Sequence, residues 1–215
     1  MNSIEYPILY SFRRCPYAMR ARFVLRKAKI KIELREILLK KKPKEFLELS
    51  KDGTVPILLI PDKTVIQESL EIIFWAIKLK KNEQESIDQK SLDLIKKIDT
   101  CFKKNLDNYK YPNKFDIKNT KKYRNKNLKY LHILNEKLKE KKFLQSDELS
   151  FLDYSIFPFI RQFRNVDPNW FDGLKFNYLI NWFSFIVESK EFNDIMKKYS
   201  VWEPKNNPII TNFIS

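Results

Sequence analysis

The stretch Tyr10-Ser11-Phe12-Arg13-Arg14-Cys15-Pro16-Tyr17-Ala18-Met19-Arg20-Ala21-Arg22-Phe23-Val24-Leu25 carries a strand end, a turn and a helix start in succession. Tyr6 to Tyr10 is a short run of strand length, and Ala21, Val24, Leu25 and Ala28 recur at helical spacing. Proline suits the first position of a helix, where its missing N–H costs nothing, so Pro16 places Cys15 at the N-cap with its sulfur facing the free N–H groups of the first turn. The positive end of the helix favours a thiolate there, as do the Arg13 and Arg14 guanidiniums if they turn toward the sulfur. Lowering a thiol pKa from about 8.5 to about 6 raises the thiolate share at pH 7 about 30-fold, while intrinsic nucleophilicity falls about 10-fold. Thiol exchange therefore gains more than simple attack, because such a sulfur departs easily from a mixed disulfide. The competing reading of a Cys before a Pro is a buried structural thiol, and the rest of the chain decides between the two.

The 215 residues permit one large or two small domains, and 43% hydrophobic with 32% charged residues is a globular composition. No apolar run reaches membrane-spanning length, and Met1 to Tyr10 lacks the basic-then-apolar pattern of a signal peptide. Two cysteines, Cys15 and Cys101, are too few for a disulfide scaffold and suit a reducing compartment, so a cytoplasmic location is expected. A net charge of +15 raises the question of nucleic acid. The charge is mostly Lys, spread over nearly every segment and accompanied by many Asn and Ile, which reads as solvated faces with a compositional bias rather than a phosphate-binding patch. Such a surface still attracts a small anionic cosubstrate. His132 is the single histidine, with no Cys or second His to join it in a metal site, so no metal is expected.

After the first helix, Lys31 to Leu39 alternates loosely as a second strand, and Pro43 opens a short helix through Leu49. A turn at Lys51-Asp52-Gly53 precedes a strand over Val55 to Ile60, with Pro56 at its entrance where a missing donor is tolerated. Thr64 to Ile66 gives a fourth strand, and Ser69 begins a helix with Ile72, Ile73, Trp75, Ala76 and Leu79 on a broad apolar face. The order βαβ, then ββα, is thioredoxin-like. Lys80 to Glu85 is the expected linker. Everything beyond it is helical in pattern, with stripes at Ile95, Ile98, Phe102 and Leu106, at Leu131, Leu134 and Leu138, and at Leu179, Trp182, Phe183 and Ile186. Cys101 reads as an inert, buried small residue within the first of these helices. Ser150-Phe151-Leu152-Asp153 is a capping-box-like start to a helix apolar almost all round, with Pro158 expected to kink it. Tyr109 to Asn127, rich in Lys, Asn and Tyr, shows no motif and reads as loop.

The strand, the Cys-Pro-Tyr at a helix start and the Arg-x-Arg two turns on resemble the glutathione S-transferase superfamily, in particular its cysteine-dependent, omega-like and bacterial members. Glutaredoxins share the Cys-Pro-Tyr but carry a second Cys where this chain has Ala18, so a neighbouring resolving thiol is absent. The resemblance implies an α/β thioredoxin-like domain with a mixed four-stranded sheet over residues 1–80 and an all-helical second-substrate domain over 86–215. It implies glutathione as cosubstrate and Cys15 as nucleophile. A cis bond at Val55-Pro56 would expose main-chain groups to the cysteinyl part of glutathione, and Ser69 with its helix N-terminus would hold the γ-glutamyl carboxylate, with Glu68 near the amine. Lys42 would contact the peptide. The implied activity is thiol transfer or disulfide reduction through a mixed disulfide on Cys15, with a small electrophile or mixed disulfide as second substrate. Conjugation by way of a nearby hydroxyl, Ser11 or Tyr17, and a non-catalytic module binding a protein partner are the alternatives. A homodimer is expected, without membrane or nucleic-acid partners.

Overall fold

The structure is a computed structural model that describes residues 5–50, 52–80, 87–115 and 117–215. Its chain divides into two compact units, Met1–Gln84 together with Ser189–Ser215, and Glu85–Glu188. The expected linker lies outside the described residues beyond residue 80.

In the first unit, β1 (Ile8–Ser11) has all four residues buried, as a strand covered on both faces must be. It feeds α1 (Pro16–Lys27), which returns to β2 (Ile32–Glu36), parallel to β1 with Ile8 opposite Glu33 and Ser11 opposite Glu36. β2 alternates, with Ile32, Leu34 and Glu36 facing inward, so a carboxylate occupies an apolar phase. After α2 (Lys44–Leu49) come β3 (Ile57–Leu59), antiparallel to β1, and β4 (Val65–Ile66), antiparallel to β3, then α3 (Ser69–Lys80). The thioredoxin-like arrangement with a mixed sheet is as expected. The sheet has five strands rather than four, in the order β4-β3-β1-β2-β5.

The helical unit comprises α4 (Gln89–Lys97), a π-helical segment Ile98–Phe102, α5 (Lys103–Lys110), α6 (Thr120–Lys126), α7 (Leu128–Glu140), α8 (Phe151–Arg164), α9 (Pro168–Asp172) and α10 (Asn177–Glu188). The three apolar stripes are buried as their spacing required. Between Tyr109 and Asn127 the structure departs from the loop expectation, because α6 forms there. Asn119 caps it by accepting from Lys122 N–H at 3.1 Å, and the Arg124 guanidinium lies 4.1 Å from the Trp170 ring centroid, a cation–π contact that an all-polar sequence does not announce. α8 runs through Pro158 and begins with the capping box: Asp153 Oδ2 accepts from Ser150 N–H at 2.9 Å, while Oδ1 accepts from Leu144 N–H and Trp182 Nε1.

Beyond the helical unit, α11 (Lys190–Ile195) is followed by β5 (Ile210–Thr211), the fifth strand. The expected helical domain ran from residue 86 to 215, whereas Ser189–Ser215 groups with the first unit. β5 pairs antiparallel with β2 and covers an edge that would otherwise present unpaired backbone groups. Trp202 joins the core beside Phe46 and Tyr10, edge-on to the Tyr10 ring at 5.8 Å, and its backbone N–H donates to Glu36 O at 2.7 Å. α11 packs on α1 and is fastened by Asp194, which accepts from Arg26 Nε at 2.9 Å and Nη2 at 2.6 Å. Lys190 Nζ stands 3.4 Å from the same carboxylate, and the Ser215 hydroxyl also donates to it.

Asp194 is held below the ordinary carboxyl value of 3.8: burial pushes it up, but the hydrogen bonds from Ser215 and Arg26 and the nearby positive charges outweigh burial. Its folded pKa is depressed, so its stabilising contribution is complete above the unfolded value and disappears as pH falls through the folded one. Asp194→Asn is expected to cost about 1.5–3 kcal/mol at pH 7, with the deficit shrinking below pH 3.8. Urea unfolding at pH 7 and pH 3 checks this, and an equal deficit at both would show that charge is not what holds α11.

Candidate functional site

Cys15 is the N-cap residue of α1, with extended backbone and Pro16 at the first helical position, as the sequence dictates. Its carbonyl accepts from Met19 N–H and its own N–H donates to Phe12 O, both at 2.9 Å, which closes the turn between β1 and α1. Its side chain makes no capping hydrogen bond; Sγ lies 3.6 Å from Val55 O, to which the thiol donates. The sulfur thus sits at the helix N-terminus without being one of its caps. The two arginines beside it point elsewhere. Arg13 Nη1 donates to Met196 O at 3.1 Å, and the exposed Arg14 lies over the Phe12 ring at 5.5 Å. The helix terminus is therefore the cationic field that this local geometry supplies.

The Val55-Pro56 bond is cis and faces Cys15 through that carbonyl. Ser69, the first residue of α3, is buried, and its hydroxyl accepts from Arg20 Nη1 at 3.2 Å. Glu68 is exposed immediately before it, its carbonyl accepting from Ile72 N–H at 3.1 Å to start the helical bonding. Lys42 reaches the turn before Val55: Gly53 there has φ of +62°, and a Cβ on it would stand 3.0 Å from Lys42 Nζ. Cys15 and Val55 are thus in contact, and Ser69 is tied to the same helix as Cys15 through Arg20. Ser11, one of the two alternative hydroxyls, is fully buried and accepts from Arg22 Nε at 2.8 Å; the half-buried Tyr17 faces the Arg20 guanidinium at 5.7 Å.

Sequence reasoning used Arg20 and Arg22 only as the Arg-x-Arg of the family resemblance, gave them no role, and passed over Glu36. Arg22 is fully buried and its fork is shared three ways, Nε to Ser11 Oγ, Nη1 to Ile195 O at 3.1 Å and Nη2 to Glu36 Oε2. Glu36 Oε1 accepts from Arg13 N–H at 2.6 Å. Burial pulls the Arg22 pKa down, and the Glu36 carboxylate opposes that pull. A signal was legible: Glu36 stands on the inward phase of β2, and a carboxylate there demands a cation.

Cys101, expected to be buried, is exposed. It falls in the π-helical segment, between the buried Ile98 and Phe102 but off the stripe they form. Hydrogen bonds from Thr100 and Tyr130 and the charges of Lys129 and Lys104 hold its thiol below the ordinary value. It opens onto a cavity of about 680 Å³ lined also by Lys126 and Tyr123. Among the described residues, no group of three or more His, Cys, Asp and Glu side chains stands close enough to hold a metal ion. His132 is exposed, beside Glu136 and stacked on Phe176. No helix among the described residues is long and apolar enough to cross a membrane.

With this geometry in view, comparison with known proteins is direct. The family profile "Glutathione S-transferase, N-terminal domain" matches residues 9–84, and that for the C-terminal domain matches residues 94–190. Among solved structures, the fold is similar to a glutathione transferase family member from Pseudomonas fluorescens with two glutathione bound, at 17% identity and a TM-score of 0.78 over 91% of this chain and 94% of that one. It is also similar to a glutathione transferase from Pseudomonas putida with one glutathione disulfide bound per subunit, at 20% identity and 0.76 over 90% and 91%. A third is Ure2p5 from Phanerochaete chrysosporium, cocrystallised with 1-(S-glutathionyl)-2,4-dinitrobenzene, at 14% identity and 0.72 over 89% and 93%. A thioredoxin-like unit with Cys-Pro-Tyr at its first helix, followed by a helical unit and matched by both family profiles in that order, means that this chain belongs to the glutathione S-transferase superfamily.

Proposed function

We propose that the chain is a glutathione-dependent thiol transferase or disulfide reductase of the cysteine-dependent, omega-like kind, working through a mixed disulfide on Cys15. The observation that carries this reading is the position of Cys15: a thiol at the N-terminus of α1, 3.6 Å from the carbonyl that precedes a cis proline. The Cys15 thiolate attacks the glutathionyl sulfur of a disulfide R–S–S–G, forming Cys15–S–S–G and releasing R–S⁻, which takes up a proton. A second glutathione thiolate then attacks the glutathionyl sulfur of that mixed disulfide, releasing the Cys15 thiolate and glutathione disulfide. With Ala18 where a resolving Cys would stand, the second thiol comes from solution. The main chain at Val55 and Pro56 would hold the cysteinyl part of glutathione, Ser69 its γ-glutamyl carboxylate and Glu68 its amine, and Lys42 would contact the peptide. Arg20 behind Ser69 supports the second assignment, since it adds a buried positive charge at an anion site.

Conjugation to a small electrophile is the second reading, supported by the cocrystallisation of the similar Ure2p5 with a glutathionyl conjugate. It requires a hydroxyl at the glutathione thiol, and the burial of Ser11 leaves Tyr17 as the better placed of the two. A non-catalytic binding module is the outcome if neither activity is found. A homodimer in a reducing, cytoplasmic setting remains the expected context; light scattering at physiological salt checks the dimer, and a mass near 26.1 kDa would reject it.

Glu68→Ala and Ser69→Ala are each expected to weaken glutathione binding by about 1–3 kcal/mol, because each leaves a charged end of the ligand without its partner. Calorimetry reads this, and unchanged affinity in both variants would move the reading to the non-catalytic module.

Oxidised glutathione is expected to modify Cys15, and Cys15→Ser to abolish disulfide reductase turnover while keeping most glutathione affinity. Native Cys101 is expected to react readily with iodoacetamide, since it is exposed with a lowered pKa, so labelling must be resolved by peptide mass spectrometry. Undiminished turnover in Cys15→Ser, or a catalytic mixed disulfide found on Cys101, would overturn the assignment.

A further inference from the structure

We propose that Arg22, paired with Glu36 and docked on the C-terminal end of α11, is a positioning residue that sets the reactivity of Cys15. The inference rests on the reading of Cys15 as the reacting thiol and adds what holds it there. The turn from Ser11 to Cys15 decides where the sulfur stands relative to the α1 terminus and to Val55 O. That turn is gripped at two points by one buried pair. Arg22 Nε donates to Ser11 Oγ at its start, at 2.8 Å. Glu36, held by Arg22 Nη2, accepts from Arg13 N–H in its middle, at 2.6 Å. Cys15 N–H then bonds back to Phe12 O, so the position of residues 11–13 is passed directly to the cysteine.

The same two arginines reach the end of α11. Arg22 Nη1 donates to Ile195 O and Arg13 Nη1 to Met196 O, both at 3.1 Å. Helix-terminal carbonyls carry partial negative charge and lack intrahelical donors, so guanidinium groups stabilise them and are oriented by them. A guanidinium with one edge fixed by Glu36 and another by Ile195 has a single orientation in which Nε meets Ser11. Lysine, with one rotatable ammonium on a flexible stem, offers no such three-way fork. The C-terminal segment is therefore part of the apparatus that presents Cys15, although it lies about 180 residues away in sequence.

The test is the pH dependence of Cys15 alkylation by iodoacetamide, with Cys101 in the same sample as an internal reference and circular dichroism as the folding control. Arg22→Met is expected to move the Cys15 midpoint up by about one pH unit and to slow its reaction at pH 6 about tenfold, leaving Cys101 unchanged. Arg22→Lys is expected not to restore it. Since Arg22→Met strands a buried carboxylate at a cost that threatens the fold, the double variant Arg22→Met/Glu36→Leu removes both charges together and should keep the fold while shifting the midpoint in the same direction. Asp194→Asn, which loosens α11 without touching the turn, should shift it by less. A folded double variant with the wild-type midpoint overturns the positioning role, and so does full recovery in Arg22→Lys; an unchanged midpoint in Asp194→Asn overturns the part assigned to α11. Incubation of the wild type with oxidised glutathione separates this from the functional reading. Failure of Cys15 to become glutathionylated, with the variant shifts still present, would leave the positioning role standing and remove the transferase.

Discussion

A charge buried without a partner costs several kcal/mol, and Arg22 is a charge with no solvent-exposed surface. The surrounding structure is arranged to supply what that guanidinium needs: a carboxylate from β2, a hydroxyl from the end of β1 and a carbonyl from the end of α11. These three acceptors come from segments far apart in the chain, so the pair forms only when the sheet, α1 and the C-terminal segment are all in place. Replacing such a pair with apolar residues often leaves stability unchanged or raises it, which makes net stabilisation a poor account of it. What the pair supplies is direction, because a planar fork satisfied on each edge permits one arrangement of the elements around it.

α1 carries a second buried arginine two residues earlier, and helical geometry sends Arg20 and Arg22 to different sides. Arg22 addresses β2 and α11, whereas Arg20 addresses Ser69 at the start of α3. One helix thereby links the turn that bears Cys15 to the helix terminus that bears Ser69. The C-terminal segment completes this unit by adding β5 to an open edge, Trp202 to the core and α11 to the outer side of α1. Asp194 ties that addition to Arg26, again on α1.

The helical unit is organised by a different polar residue. Asp153 is buried, and burial pushes its carboxyl above the ordinary value while the donors from Leu144, Ser150 and Trp182 oppose the shift. Its pKa is raised in the folded state, so in isolation this group makes the fold less stable as pH rises through the interval between the two values, the reverse of Asp194. Its hydrogen bonds join the start of α8 to the chain before it and to α10. As with Arg22, a buried polar group with several partners fixes how neighbouring segments meet.

The sequence by itself determined much of this protein. Pro16 after Cys15 marked the helix start, the alternation in β2 and the apolar runs marked the strands, and the stripes through Ile95, Leu131 and Leu179 marked the buried helix faces, because each depends on local periodicity that neighbouring residues already carry. The signature Ser150-x-x-Asp153 fixed the start of α8 for the same reason. Tertiary structure alone decided the rest. The docking of Ser189–Ser215 on the first unit depends on pairing with β2 across more than 170 residues, and no local pattern in Ile210–Thr211 says which edge it will meet. The direction of Arg13 was set by a carbonyl at Met196, not by the sulfur two residues away. The exposure of Cys101 depends on which face of its helix meets the neighbouring helices, and the residue type alone does not carry that.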